Sequence, residues 1–100
     1  MSERELQDAI IETANVCGWL VYHTWRSDHS PSGFPDLTLV RAGRLIFAEL
    51  KSAKGKLTVN QRQWVRALER AGQEVYVWYP QDLDDAIRIL NTPRQDREAG

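Results

Sequence analysis

Asp36-Leu-Thr-Leu-Val-Arg-Ala-Gly-Arg-Leu-Ile-Phe-Ala-Glu-Leu-Lys51 is the stretch on which the reading of this chain turns. Apolar and β-branched residues flank Ala42-Gly43, a dipeptide suited to a tight hairpin, so the spacing predicts a strand over 36–40 and another over 44–51. Side chains alternate along a strand, which puts Leu45, Phe47, Glu49 and Lys51 on one face. An isolated Glu-x-Lys is usually a surface ion pair. Counting outward from the turn changes that reading, because Asp36 then falls beside Glu49 to Lys51. Two carboxylates and a lysine converge at one end of a sheet. Carboxylates held close repel each other unless a cation lies between them. Hard oxygen ligands of this kind suit Mg²⁺, which keeps several waters and binds phosphate oxygens.

Working outward, residues 2–17 read as a helix with Ser2 as N-cap and Gly18 as its stop. Leu6, Ile10, Thr13, Ala14 and Cys17 share one arc, together with Glu3 and Gln7, while Glu5, Asp8 and Glu12 lie opposite. Trp19 to Trp25 reads as a strand, and 26–35 as a turn-forming loop. A basic loop at 52–57 leads to Thr58, which caps a helix running to Ala71 before Gly72. Glu74 to Tyr79 is the next strand, and Asp82 to Leu90 a last short helix. Residues 1–91 are expected to form a single domain, and 92–100 a polar, disordered tail. The order helix, three strands, helix, strand, helix gives an α/β fold: an αβββαβ core with a mixed central sheet flanked by helices and an extra C-terminal helix.

The 100 residues are 42% hydrophobic and 27% charged, with four Trp, three Tyr and two Phe, a composition that excludes a disordered chain. No apolar run approaches the ~18–20 residues of a membrane span, and no secretory signal is visible. Cys17 is the sole cysteine, which excludes an internal disulfide and a cysteine-based zinc cage. A reducing, cytoplasmic setting is expected. The net charge is −1, but residues 41–70 carry Arg41, Arg44, Lys51, Lys54, Lys56, Arg62, Arg66 and Arg70 against only Glu49 and Glu69. Such a block fits a phosphate-backbone partner or a solvated helix face.

Pro35-Asp36, twelve intervening residues and Glu49-Leu50-Lys51 match the PD-(D/E)XK nuclease signature. More narrowly, the chain resembles the VRR-NUC branch of that restriction-endonuclease-like superfamily. The resemblance rests on Gly33-Phe34-Pro35-Asp36-Leu37, on Glu49-Leu50-Lys51, on the stretch Gly55 to Gln61 and on Glu3 to Gln7, and it covers roughly residues 2–85. It implies a metal-dependent DNA endonuclease. Asp36 and Glu49 would hold Mg²⁺, or Mn²⁺ as a substitute, with the Leu50 backbone carbonyl. Lys51 would orient or deprotonate the attacking water and offset phosphate charge.

Glu3 is the expected additional acid, acting through a metal-bound water. Glu5 is the alternative two residues on, and the helical wheel favours Glu3. Gln61 lies in the apolar arc of its helix, where it would face the active site or simply close a capping box with Thr58. Lys54, Lys56, Arg62, Arg66 and Arg70 would track the DNA backbone. Trp64 and Trp78 read as core. Trp25, His23 and His29 border the loop before Asp36, the histidines more readily as packing or surface residues than as catalysts.

Single-domain members of such folds suggest a homodimer acting on branched DNA, such as a four-way (Holliday) junction. Leu83, Ile87 and Leu90, with the strand 74–79, would supply the interface, unless they close the monomer core. Neither an organic cofactor nor a membrane is expected. The competing readings are a binding module without catalysis and an accessory subunit of a larger helicase-nuclease complex.

Overall fold

The Ser2 hydroxyl accepts from the Glu5 amide, and the Glu5 carboxylate accepts in turn from the Ser2 amide. This capping box starts α1 (Glu3–Val16). In the computed structural model, which describes residues 1–25 and 29–93, there follow β1 (Leu20–His23), β2 (Leu37–Arg41), β3 (Arg44–Leu50), α2 (Val59–Arg70), β4 (Glu74–Trp78), a 3₁₀ turn (Pro80–Asp82) and α3 (Leu83–Asn91). The strands lie in the order β1-β2-β3-β4. β1–β2 and β2–β3 are antiparallel, and β3–β4 is parallel. The expected mixed α/β architecture is the one found, and it is consistent with the restriction-endonuclease-like fold.

The hairpin between β2 and β3 turns on Ala42 and Gly43, both at positive φ (48° and 79°). Two such residues make the turn that matches strand twist, and so fix the register Arg41↔Arg44 through Leu37↔Ala48. That register sets the faces of the sheet. Leu37, Leu39, Ile46, Ala48 and Leu50 turn one way and are buried with Leu6, Ile10 and Ala14 of α1 and Ala86 and Leu90 of α3. The other face carries Thr38, Val40, Leu45, Phe47 and Glu49. α2 packs there, with Phe34 edge-on to both Phe47 and Trp64.

At the hairpin end, Arg41 lies over the buried Trp19 ring and donates to the carbonyls of Cys17, Leu90 and Thr92. Arg44 donates to Thr92 as well and pairs with Glu74. Thr92, in the span expected to be a disordered tail, is therefore tied to the sheet. The rest of that tail from residue 94, like residues 26–28 of the loop, lies outside the described residues.

The surface expected to carry a dimer is differently employed. Leu90 and Trp78 are buried in the monomer, Leu83 and Ile89 pack against the core, and Tyr76 stacks on Trp78. α3 and β4 thus close the core of one chain, in the same buried cluster as α1. The large apolar side chains left exposed include Leu20, Tyr22, Trp25 and Val40. Among the described residues, no helix is long and apolar enough to cross a membrane.

Candidate active site

The Leu37↔Ala48 register, carried back by one residue, sets Asp36 opposite Glu49 at the end of the sheet remote from the hairpin. The Asp36 carboxylate accepts from the Leu50 amide at 2.8 Å, so it caps the end of β3. The Lys51 amide donates to the Trp78 carbonyl at 3.0 Å, which extends the parallel pairing and fixes the backbone on which Lys51 stands. Pro35 and Asp36 are held from the other side by Thr24. Its amide donates to the Asp36 carbonyl and its hydroxyl to that of Pro35, both at 2.8 Å.

Glu49 is the buried charged residue of the described chain, with 2% of its surface exposed. Its Oε2 accepts from Gln61 Nε2 at 3.0 Å. Its Oε1 is buried with no hydrogen-bond partner. Desolvation first, then the neighbouring Asp36 carboxylate, push the Glu49 pKa up to about 9. Lys51 works against this, and Glu3 adds to it. A buried carboxylate with an orphaned oxygen beside a second carboxylate is a place where a cation or a proton is wanted.

Gln61 satisfies both readings of its position. Its side-chain oxygen accepts from the Thr58 amide at 2.9 Å, and its own amide donates to the Thr58 hydroxyl, which completes the α2 capping box. The same oxygen accepts from Lys51 Nζ at 3.2 Å while its Nε2 reaches Glu49. One side chain therefore joins the helix start, the lysine and the buried acid.

The remaining expected residues divide. Glu3 was expected on the buried stripe of α1, yet it is exposed, because burial along that stripe begins only at Leu6. It still contributes to the charge felt by Glu49, while Glu5 is engaged with Ser2. Gln7 is half-buried. Arg62, Arg66 and Arg70 are exposed along one side of α2 and line a shallow groove with Val59, Gln63 and Ala67. Lys54 and Lys56 are exposed in the loop before it. His29 is exposed, and the half-buried His23 ring lies 5.2 Å from that of Trp25.

The contacts of three supports of the site were not read from the sequence. Thr24 is one; extending the strand register would have set it opposite Asp36. The others are Gly33 and Asn60. Gly33 has φ +98°, and a Cβ there would fall 2.6 Å from the Asn60 carbonyl carbon. Asn60 Nδ2 donates to Ser32 Oγ at 2.6 Å. The loop leading to Asp36 is thus pinned to the first turn of α2. The Gly-x-Pro-Asp spacing marks the loop but not its partner.

Among the described residues, no group of three or more His, Cys, Asp or Glu side chains is gathered to hold a metal. The donor set is a carboxylate pair with adjacent backbone. That suits a hard cation that retains most of its water, and the orphaned Glu49 oxygen fits such an ion.

A helix, an antiparallel three-stranded meander, a crossover helix and a parallel fourth strand, with acids and a lysine at one sheet end, are consistent with the restriction-endonuclease-like class of nuclease domains. The VRR-NUC domain profile matches residues 4–82, and the chain belongs to the VRR-NUC family. Its membership makes DNA the implied substrate. No curated protein matches the chain.

Proposed function

We propose that this chain is a Mg²⁺-dependent endodeoxyribonuclease, with Mn²⁺ able to substitute, that acts in the cytoplasm as a homodimer on branched DNA such as a four-way junction. The observation that carries the reading is the buried Glu49. One of its oxygens is bound by Gln61 and the other is free beside Asp36, and Gln61 also accepts from Lys51. Asp36, Glu49 and the Leu50 carbonyl would hold the ion, with Glu3 reaching it through a water. A bound divalent cation supplies charge neutralisation at the phosphate and a more acidic water.

The protein's own groups do the rest. Lys51 stands two residues along the strand from Glu49, on the same face, and is held by Gln61 where it can orient or take a proton from the attacking water. Its positive charge opposes the charge that develops on the phosphoryl oxygens. Lys54, Lys56, Arg62, Arg66 and Arg70 offer the backbone of the duplex a cationic flank.

The test is a panel of end-labelled duplex, nicked, flap and four-way DNAs, with and without Mg²⁺, against the wild type and Asp36→Asn. Internal cleavage that requires the metal, favours branched DNA and is lost in the folded variant is the expected result. Binding without cleavage under all conditions would replace this reading with that of a binding module.

A further inference from the structure

Among the described residues, only half of the sheet face that bears Asp36 and Glu49 is covered. α2 shields β3 and β4 through Trp64, Phe34 and Phe47. Over β1 and β2, Leu20 keeps 75% of its surface exposed, Tyr22 64% and Val40 40%. These side chains share that face, since Leu20 pairs with Val40 and Tyr22 with Thr38, while Val21 turns to the core. Asp36 lies two residues from Thr38 along the same strand, and Thr24 is bonded opposite it. Tyr22 therefore stands one same-face step, roughly 7 Å, from the Asp36–Glu49 row.

Charge divides the surroundings of the site in the same way. Lys54, Lys56 and the arginines of α2 lie on the β3–α2 side. Arg41 of β2 is committed to the carbonyls of Cys17, Leu90 and Thr92. A duplex backbone is drawn to the cationic side. An apolar ledge with a tyrosine, on the same sheet face as the carboxylates, suits the flat faces of unpaired nucleobases. Three side chains do not supply the roughly 800 Å² per partner that a stable protein interface needs. Trp25 is exposed too, but its ring is turned to His23 and lies beyond the ledge.

We propose that Leu20, Tyr22 and Val40 form a ledge on which unpaired nucleotides of the substrate stack. Tyr22 is then a specificity-determining residue that selects DNA with a single-stranded segment beside the bond to be cut. This inference rests on the nuclease reading above and narrows it: within branched DNA it favours flaps, which carry unpaired nucleotides, over a fully paired four-way junction.

The test measures binding in EDTA, so it needs no cleavage. Wild type, Tyr22→Phe and Tyr22→Ala are titrated onto a flap DNA carrying 2-aminopurine in its unpaired arm, and onto an uninterrupted duplex. Stacking predicts fluorescence quenching with wild type and Tyr22→Phe. It predicts loss of quenching and about tenfold weaker flap binding with Tyr22→Ala, the duplex affinity being unchanged. Absence of quenching by the wild type, or an equal effect of Tyr22→Ala on both DNAs, overturns the ledge and leaves the nuclease reading standing. A wild type that binds no DNA at all overturns both. Sedimentation without DNA completes the test: a dimer that Tyr22→Ala converts to monomer would make the ledge a protein interface and refute the proposal.

Discussion

Replacing Glu49 with Gln should make the metal-free protein more stable, not less. Glu49 is 2% exposed beside Asp36, and its pKa is pushed up to about 9 from an ordinary 4.5. Between those values the unfolded chain has released the proton that the folded chain retains. A raised pKa contributes stability that is complete below pH 4.5 and is lost as pH rises toward 9. In that window each pH unit removes ~1.4 kcal/mol from the folded state. At pH 7 the cost has reached about 3 kcal/mol.

Glu49→Gln removes it. The amide oxygen can still accept from Gln61 Nε2, and the new NH₂ can donate to Asp36. The difference between variant and wild type should be near zero at pH 4 and grow to about 3 kcal/mol at pH 7, a rise in Tm on the order of 10 °C or more. Urea unfolding in EDTA at several pH values measures it, and the histidines cancel in the difference. A variant that is less stable at pH 7, or a difference that does not change with pH, would refute the account of Glu49 as a strained, proton-seeking carboxylate.

Other outcomes follow from the same geometry. Lys51→Ala should lower the cleavage rate at least about 100-fold without loss of folding; near wild-type single-turnover rates would return Lys51 to the surface. Thr58→Ala should cost about 1 kcal/mol in helix capping and leave cleavage close to wild type. Gln61→Ala should lose both the cap and the rate, so kinetics compared with unfolding curves separate its two jobs. Gly33→Ala meets the Asn60 carbonyl at a positive φ and should cost about 2 kcal/mol or more by denaturant unfolding; a neutral result would mean the loop is not pinned to α2. Reversing Arg62 and Arg66 to Glu should weaken all DNAs together and flatten the salt dependence, read by titration at several ionic strengths.

The fold was legible because its signals are local. Ser2, Thr58, Gly18 and Gly72 bound the helices, and Ala42-Gly43 fixes a register that carries Asp36 to Glu49 by counting alone. What lay beyond counting was contact between parts distant in sequence. Gln61 could be read as a cap or as a site residue, and only the packing of α2 against β3 shows that it is both. Glu3 follows the periodicity of the buried stripe, but periodicity is silent on where a helix overhangs the sheet. The apolar residues of α3 and β4 looked surplus to a small core. The sequence holds no sign that Arg41 and Arg44 draw the end of α3 onto the hairpin, which is why that surface closes the monomer.

The two ends of the described chain lie at opposite poles of the sheet. Ser2 and Glu3 begin α1 close enough to the carboxylate end for Glu3 to be felt by Glu49. Thr92 is clasped by Arg41 and Arg44 at the hairpin end. Attachment geometry follows from this polarity. An affinity handle, surface tether or fused partner attached at Thr92 is therefore joined at the end of the sheet remote from the carboxylates. The same cargo joined ahead of Ser2 is attached at the carboxylate end.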